Sequence, residues 1–183
     1  MTRTAARELA IRLCYAAQMS GEDTAETISS FFTPEYFETL AEEDPIYSGY
    51  PDEQQMAYIR RLTTLVYEHY DALNGEIEKY ARGWRLDRIS RIAATILRCA
   101  MCEILYLEDV PASAAANEAV ELAKRYEEPE TVAFINGILG SFIRDRVSEI
   151  VGTYSSLFIA SPIAYDIQMA QARRAEKKAA EKK

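Results

Sequence analysis

The sequence predicts an all-α fold, a helical bundle of about six to eight helices joined by short connections. Three observations predict it. Apolar residues recur at helical spacing almost throughout the 183 residues, and no clear alternating stretch of the strand type appears. Seven glycines and six prolines are thinly spread, which favours long regular elements over many turns. Apolar residues make up 49% of the chain, enough for a substantial core in a domain of this length.

The first helix is expected from Arg3 to Met19, with Leu9, Leu13 and Ala16/Ala17 on one face, ended by Ser20-Gly21 because Gly tolerates the left-handed turn past a helix. Two shorter helices are expected at 24–32 and 34–42, then a loop through Asp44-Pro45 to Pro51. Asp52 reads as an N-cap with Gln55 completing a capping box. Met56, Ile59, Leu62, Val66, Leu73 and Ile77 trace the next buried stripe, which Gly75 is expected to divide into two helices, and Gly83 marks a further break. A third long helix carries Ile89, Ile92, Ile96, Leu97, Ala100, Ile104 and Leu105 and stops near Asp109-Val110-Pro111. Pro111 suits the first position of an Ala-rich helix running to Tyr126. After the turn at Glu127-Glu128-Pro129, a last core helix carries Phe134, Ile135, Ile138, Leu139 and Phe142. The basic, Ala-rich end from Ala170 to Lys183 reads as a solvated tail or a frayed helix.

Charge narrows the function classes. The net charge is −8, and residues 166–183 contribute +3, which leaves −11 on the first 165 residues. An acidic body repels phosphates, so any RNA site must be a local basic patch or be completed by a basic partner. No secretory signal or membrane-spanning stretch is evident, and three cysteines make no disulfide framework, so a cytoplasmic protein without a membrane partner is expected.

No constellation for catalysis stands out, and the chain is not expected to be an enzyme or to carry a cofactor or metal. His69 is the single histidine and reads as a partly exposed helix residue. Cys99 and Cys102 have CxxC spacing but lie mid-helix among apolar neighbours, with no second ligand pair for zinc, so core packing is expected. The glycines form no phosphate-binding loop.

One block is more specific. Ile96-Leu97-Arg98, Glu103 and Asp109-Val110-Pro111 are followed by Asn117-Glu118-Ala119-Val120-Glu121-Leu122-Ala123-Lys124 and by Phe134-Ile135-Asn136-Gly137-Ile138-Leu139. Their order and spacing resemble the C-terminal half of NusB-type antitermination factors, and Arg7-Glu8-Leu9-Ala10 with Tyr15 resembles the family's opening helix. The resemblance covers most of residues 3–144. It implies two packed groups of helices and a transcription antitermination factor. Such a factor binds boxA-type single-stranded RNA with a NusE-type small-subunit ribosomal protein, within an RNA polymerase antitermination complex on ribosomal RNA transcripts. Residues 1–146 would form this RNA-binding domain and 147–183 a C-terminal extension.

Candidate RNA contacts follow. Arg3, Arg7 and Arg12 lie on or near the first helix, Arg3 and Arg7 four apart on one face, where guanidinium groups suit phosphates; ordinary surface arginines are the other reading. Phe134 fits either a base-stacking ring or a core aromatic, and the resemblance favours RNA contact. Arg98 is a further candidate, for RNA or for pairing with Glu103. Asn117, Glu118, Asn136 and Gly137 read as structural. The chain departs from the family pattern at Ala93, Cys102, Ala116, Glu127 and Ala133. Family members often carry lysine at the Ala133 position, and each lost cation removes about 0.7 of log–log salt slope on single strands. The alternative is a protein-interaction module of the same fold that has lost RNA binding. Related helical domains are also fused to RNA cytosine methyltransferases, but no Gly-rich cofactor-binding region is present.

Overall fold

The computed structural model describes residues 1–21, 33–43, 47, 49–81 and 88–156. These residues form seven helices and, among them, no strand: α1 (Arg3–Ser20), α2 (Pro34–Glu43), α3 (Glu53–Glu68), α4 (Tyr70–Tyr80), α5 (Arg91–Tyr106), α6 (Ala112–Tyr126) and α7 (Pro129–Ser156). The expected helix at 24–32 and the break at Gly83 lie outside the described residues.

Helix ends follow local chemistry. Thr2 caps α1 by accepting from the Ala5 N–H at 3.1 Å. Gly21 closes the helix with φ +70°, its N–H bonded to the Ala17 carbonyl. The capping box at α3 is complete: Gln55 N–H donates to Asp52 Oδ1 at 2.8 Å, and Asp52 N–H donates to Gln55 Oε1 at 3.0 Å. Ser90 caps α5 through the Ala93 N–H at 3.0 Å, a start that leaves Ile89 outside the helix. Pro111 stands one residue outside the expected place: it occupies the N-cap, and its carbonyl accepts from Ala114 and Ala115.

The division between α3 and α4 falls at His69, not at Gly75. His69 leaves helical geometry at φ −106°, ψ 19°, and its ring stacks on Tyr106 with centroids 4.2 Å apart. Gly75 sits in the exposed middle of α4, where its missing side chain weakens the helix without breaking it.

Helix α5 is the centre of the bundle. Every residue from Ala93 to Glu103 is buried, and the helix packs against α1, α3, α4 and α6. Small residues on α6, Ala115, Ala119 and Ala123, are buried at that contact and permit close approach. The half-helix of α7 up to Phe142 adds Ile135, Ile138 and Leu139 to one continuous core, and Phe142 meets Tyr80 edge-on at 5.6 Å. Cys99 and Cys102 are part of this core. Burial pushes the Cys102 thiol up to about 12. The chain divides into two compact units, Met1–Ile143 and Arg144–Lys183. The first holds α1 to α6 and α7 as far as Ile143; in the second, residues 144–156 are helical.

Candidate nucleic-acid interface

Helix α1 carries three of the four arginines singled out in the sequence, and the structure treats them differently. Arg3 is exposed and makes no ion pair among the described residues. Arg7, one turn on, is only 8% exposed. Its Nε and Nη2 donate to the fully buried Glu103 carboxylate on α5 at 2.8–3.1 Å, and Nη1 lies 3.5 Å from Glu118 on α6. Tyr58 donates to the same Glu103 carboxylate at 2.7 Å, and Thr4 donates to Glu118 at 3.0 Å. Burial alone would lower the Arg7 pKa, but the Glu103 hydrogen bonds and charge outweigh it and hold the guanidinium above its ordinary value. Arg7 is thus satisfied inside the protein, and its charge is largely matched before any ligand arrives.

A second polar cluster continues along α1. Glu8 is 0% exposed, yet it receives Arg12 at 3.4 Å and also Arg125 and Tyr126 from α6. Arg12 also donates to the Tyr126 hydroxyl at 3.3 Å and lies over the Tyr47 ring, 4.9 Å from its centroid. Thr4, Arg7, Glu8 and Arg12 therefore face Glu118, Arg125 and Tyr126 along a polar seam between α1 and α6. Two grooves adjoin it. One, of about 510 Å³, is lined by Arg3, Arg7, Asp52, Gln55, Tyr58 and Asp109. The other, of about 790 Å³, runs between the end of α6 and the start of α7 and is lined by Lys124, Arg125, Tyr126, Ala133 and Asn136.

Phe134 is half-buried and packs against the core, so part of the ring is accessible and part is structural. Arg98 lies apart from the seam. It is 3% exposed and contacts Gln18, eleven residues or about 16 Å along α1 from Arg7. Glu103 pairs with Arg7, and Arg98 instead donates to Asn74 at 2.7 Å. Arg3 and Arg7 line one groove, Arg12 lies on the opposite side of α1 from Arg3, against Tyr126 and Tyr47, and Arg98 lines a different cavity.

Sequence reasoning missed Glu8, Arg125 and Tyr126 and gave Glu118 only a general structural role. One signal was present: Glu8 and Glu103 stand inside apolar helical stripes, and a carboxylate on a buried face requires a cationic partner from elsewhere in the fold.

Residues 4–144 match the model of the NusB family. The Transcription antitermination protein NusB of Acetivibrio thermocellus is 35% identical over 147 residues, covering 80% of this chain and 92% of that protein. A solved structure of T. maritima NusB is similar with a TM-score of 0.63 at 24% identity, covering 77% of this chain and 89% of that one. A crystal structure of antitermination factors NusB and NusE in complex with dsRNA has a TM-score of 0.61 at 22% identity, covering 78% of this chain and 96% of that one. These two structures share the all-helical fold. No helix among the described residues is long and apolar enough to cross a membrane.

Proposed function

The chain belongs to the NusB family, a family of transcription antitermination factors and not of enzymes, and from that premise we propose that it binds boxA-type single-stranded RNA together with a NusE-type small-subunit ribosomal protein. In this reading the complex joins RNA polymerase in the cytoplasm and supports ribosomal RNA transcription, residues 1–146 carry the activity, and 147–183 form an extension. The observation that carries the reading is the family match over residues 4–144. The solved NusB–NusE–dsRNA complex of the same fold supports both classes of partner.

At the site, Arg3 and Arg12 supply phosphate contacts and the accessible part of Phe134 supplies a stacking surface. Arg7 acts as a positioning residue, since its donors fix α1 to Glu103 and Glu118. Arg98 has no part in this surface. The overall charge of −8 makes a basic partner protein a natural co-ligand, because it offsets the repulsion between an acidic body and RNA. The test is a salt titration of RNA binding by wild type, Arg3→Ala and Arg12→Ala. Each variant should reduce the log–log slope by about 0.7 if it removes one phosphate contact on a single strand. Unchanged slopes in both variants would remove these arginines from the site, and a duplex arm distinguishes single-strand from double-strand preference.

The second reading is a protein-interaction module of this fold that has lost RNA binding. The internal pairing of Arg7 favours it, because that pairing thins the cationic surface. It predicts partner binding without salt-sensitive RNA binding.

A further inference from the structure

Two arginines of this chain are buried to similar degrees, 8% for Arg7 and 3% for Arg98, and the fold supplies them very differently. Arg7 has two carboxylates. Arg98 has none within ion-pair distance among the described residues. Of the five N–H groups of a guanidinium, Nε–H donates to Asn74 Oδ1 at 2.7 Å and one Nη1–H donates to Gln18 Oε1 at 3.3 Å. The other three have no acceptor among the described residues. The Tyr70 ring covers the group at 4.5 Å. Burial lowers the Arg98 pKa, as expected for a cation taken from water without a countercharge.

This guanidinium lines a cavity of about 340 Å³ between the C-terminal half of α1 and helices α3, α4 and α5. That volume lies at the small end of the range for small-molecule sites. Its walls are mainly apolar or aromatic, with Cys14, Ala17, Val66, Tyr67 and Tyr70 among them. The polar end is already ordered. Gln18 Oε1 accepts from Thr95 and Arg98, while Gln18 Nε2 donates to the Tyr70 hydroxyl at 3.0 Å.

We propose that this cavity is a binding site for a small carboxylate with an apolar body, the carboxylate accepting from the spare Arg98 donors and the body resting on Ala17, Val66 and Tyr67. A buried cation without a countercharge is costly, and an ionised carboxylate matches a planar guanidinium edge-on. A compact, strongly hydrated dianion such as inorganic phosphate suits the apolar walls poorly. The site is separate from the α1–α6 seam, so it stands or falls independently of RNA binding.

The experiment uses the full chain and three probes: 3-phenylpropionate, its neutral amide 3-phenylpropanamide, and inorganic phosphate. Binding is followed by saturation-transfer NMR and by titration of the arginine Nε–H resonances. The carboxylate should bind saturably and move the Arg98 resonance, with the amide weaker by about tenfold or more, as expected on losing a charge-assisted contact. Arg98→Met should abolish the preference for carboxylate over amide. Ala17→Phe, which fills the apolar end and leaves Arg98 intact, should block both organic probes; circular dichroism checks that each variant is folded, and Ala17→Phe carries the test if Arg98→Met is not. Equal binding of carboxylate and amide, no binding of either, or phosphate binding as tight as the carboxylate would overturn the proposal.

Discussion

Arg7 on α1 and Glu103 on α5 stand 96 residues apart and form a forked ion pair, with Nε and Nη2 both donating to one fully buried carboxylate. Tyr58 from α3 donates to that same carboxylate, so three helices meet on Glu103. The pair turns a cation from the opening helix into an anchor for the most buried helix of the bundle. Glu103→Gln should destabilise the protein by about 3–5 kcal/mol, because it leaves the Arg7 charge buried with a weaker partner. Urea denaturation measures this directly, and a loss below 1 kcal/mol would mean that water or Glu118 compensates.

The same cluster should make the protein sensitive to alkali. Burial, then the Glu103 charge, raises the Tyr58 pKa far above its ordinary value near 10. Above about pH 10 the unfolded chain releases this proton while the folded chain keeps it, so the Tyr58 contribution to stability should fall as pH rises past 10 and be constant well below it. Tyr58→Phe should be less stable at pH 7, having lost the bond to Glu103, but should lose less further stability between pH 9.5 and 11. Urea midpoints across that range decide it; parallel curves for the two proteins would contradict the assignment.

Gly75 should be replaceable with profit. It lies inside α4 with no positive φ, and a Cβ built there meets nothing within 4 Å. Gly75→Ala should stabilise the fold by about 0.5–1 kcal/mol through helix propensity and a less free unfolded chain. A lower melting temperature would show that the glycine has a role beyond the helix.

Much of the architecture was legible because it is local. The end of α1 at Gly21, the Asp52–Gln55 capping box and the end of α6 at Tyr126 are set by residues within a turn of one another. The α3–α4 division was misplaced because Gly75 is a visible helix weakener, whereas the break at His69 accompanies stacking on Tyr106, a contact across 37 residues that periodicity does not encode. The site was less legible for the same reason. Arg7 and Arg98 look alike in sequence, and only the fold shows that one meets Glu103 and Glu118 while the other lines a cavity.

Phe134 needs a substitution that respects its partial burial against the core. Phe134→Leu keeps apolar volume but removes the flat ring. If the ring stacks on a base, RNA affinity should fall by about 1–3 kcal/mol while the melting temperature changes little. Intact RNA binding with a clear loss of stability would assign the ring to the core alone.

The most direct test of the account is the binding of a labelled boxA-like single strand to the full chain, with and without a NusE-type ribosomal protein, at two salt concentrations. Weak binding alone, stronger binding with the partner, and a loss of affinity as salt rises are the expected results. No RNA binding in either condition, by a protein that is folded and still binds the partner, would contradict it and establish the interaction-module reading instead.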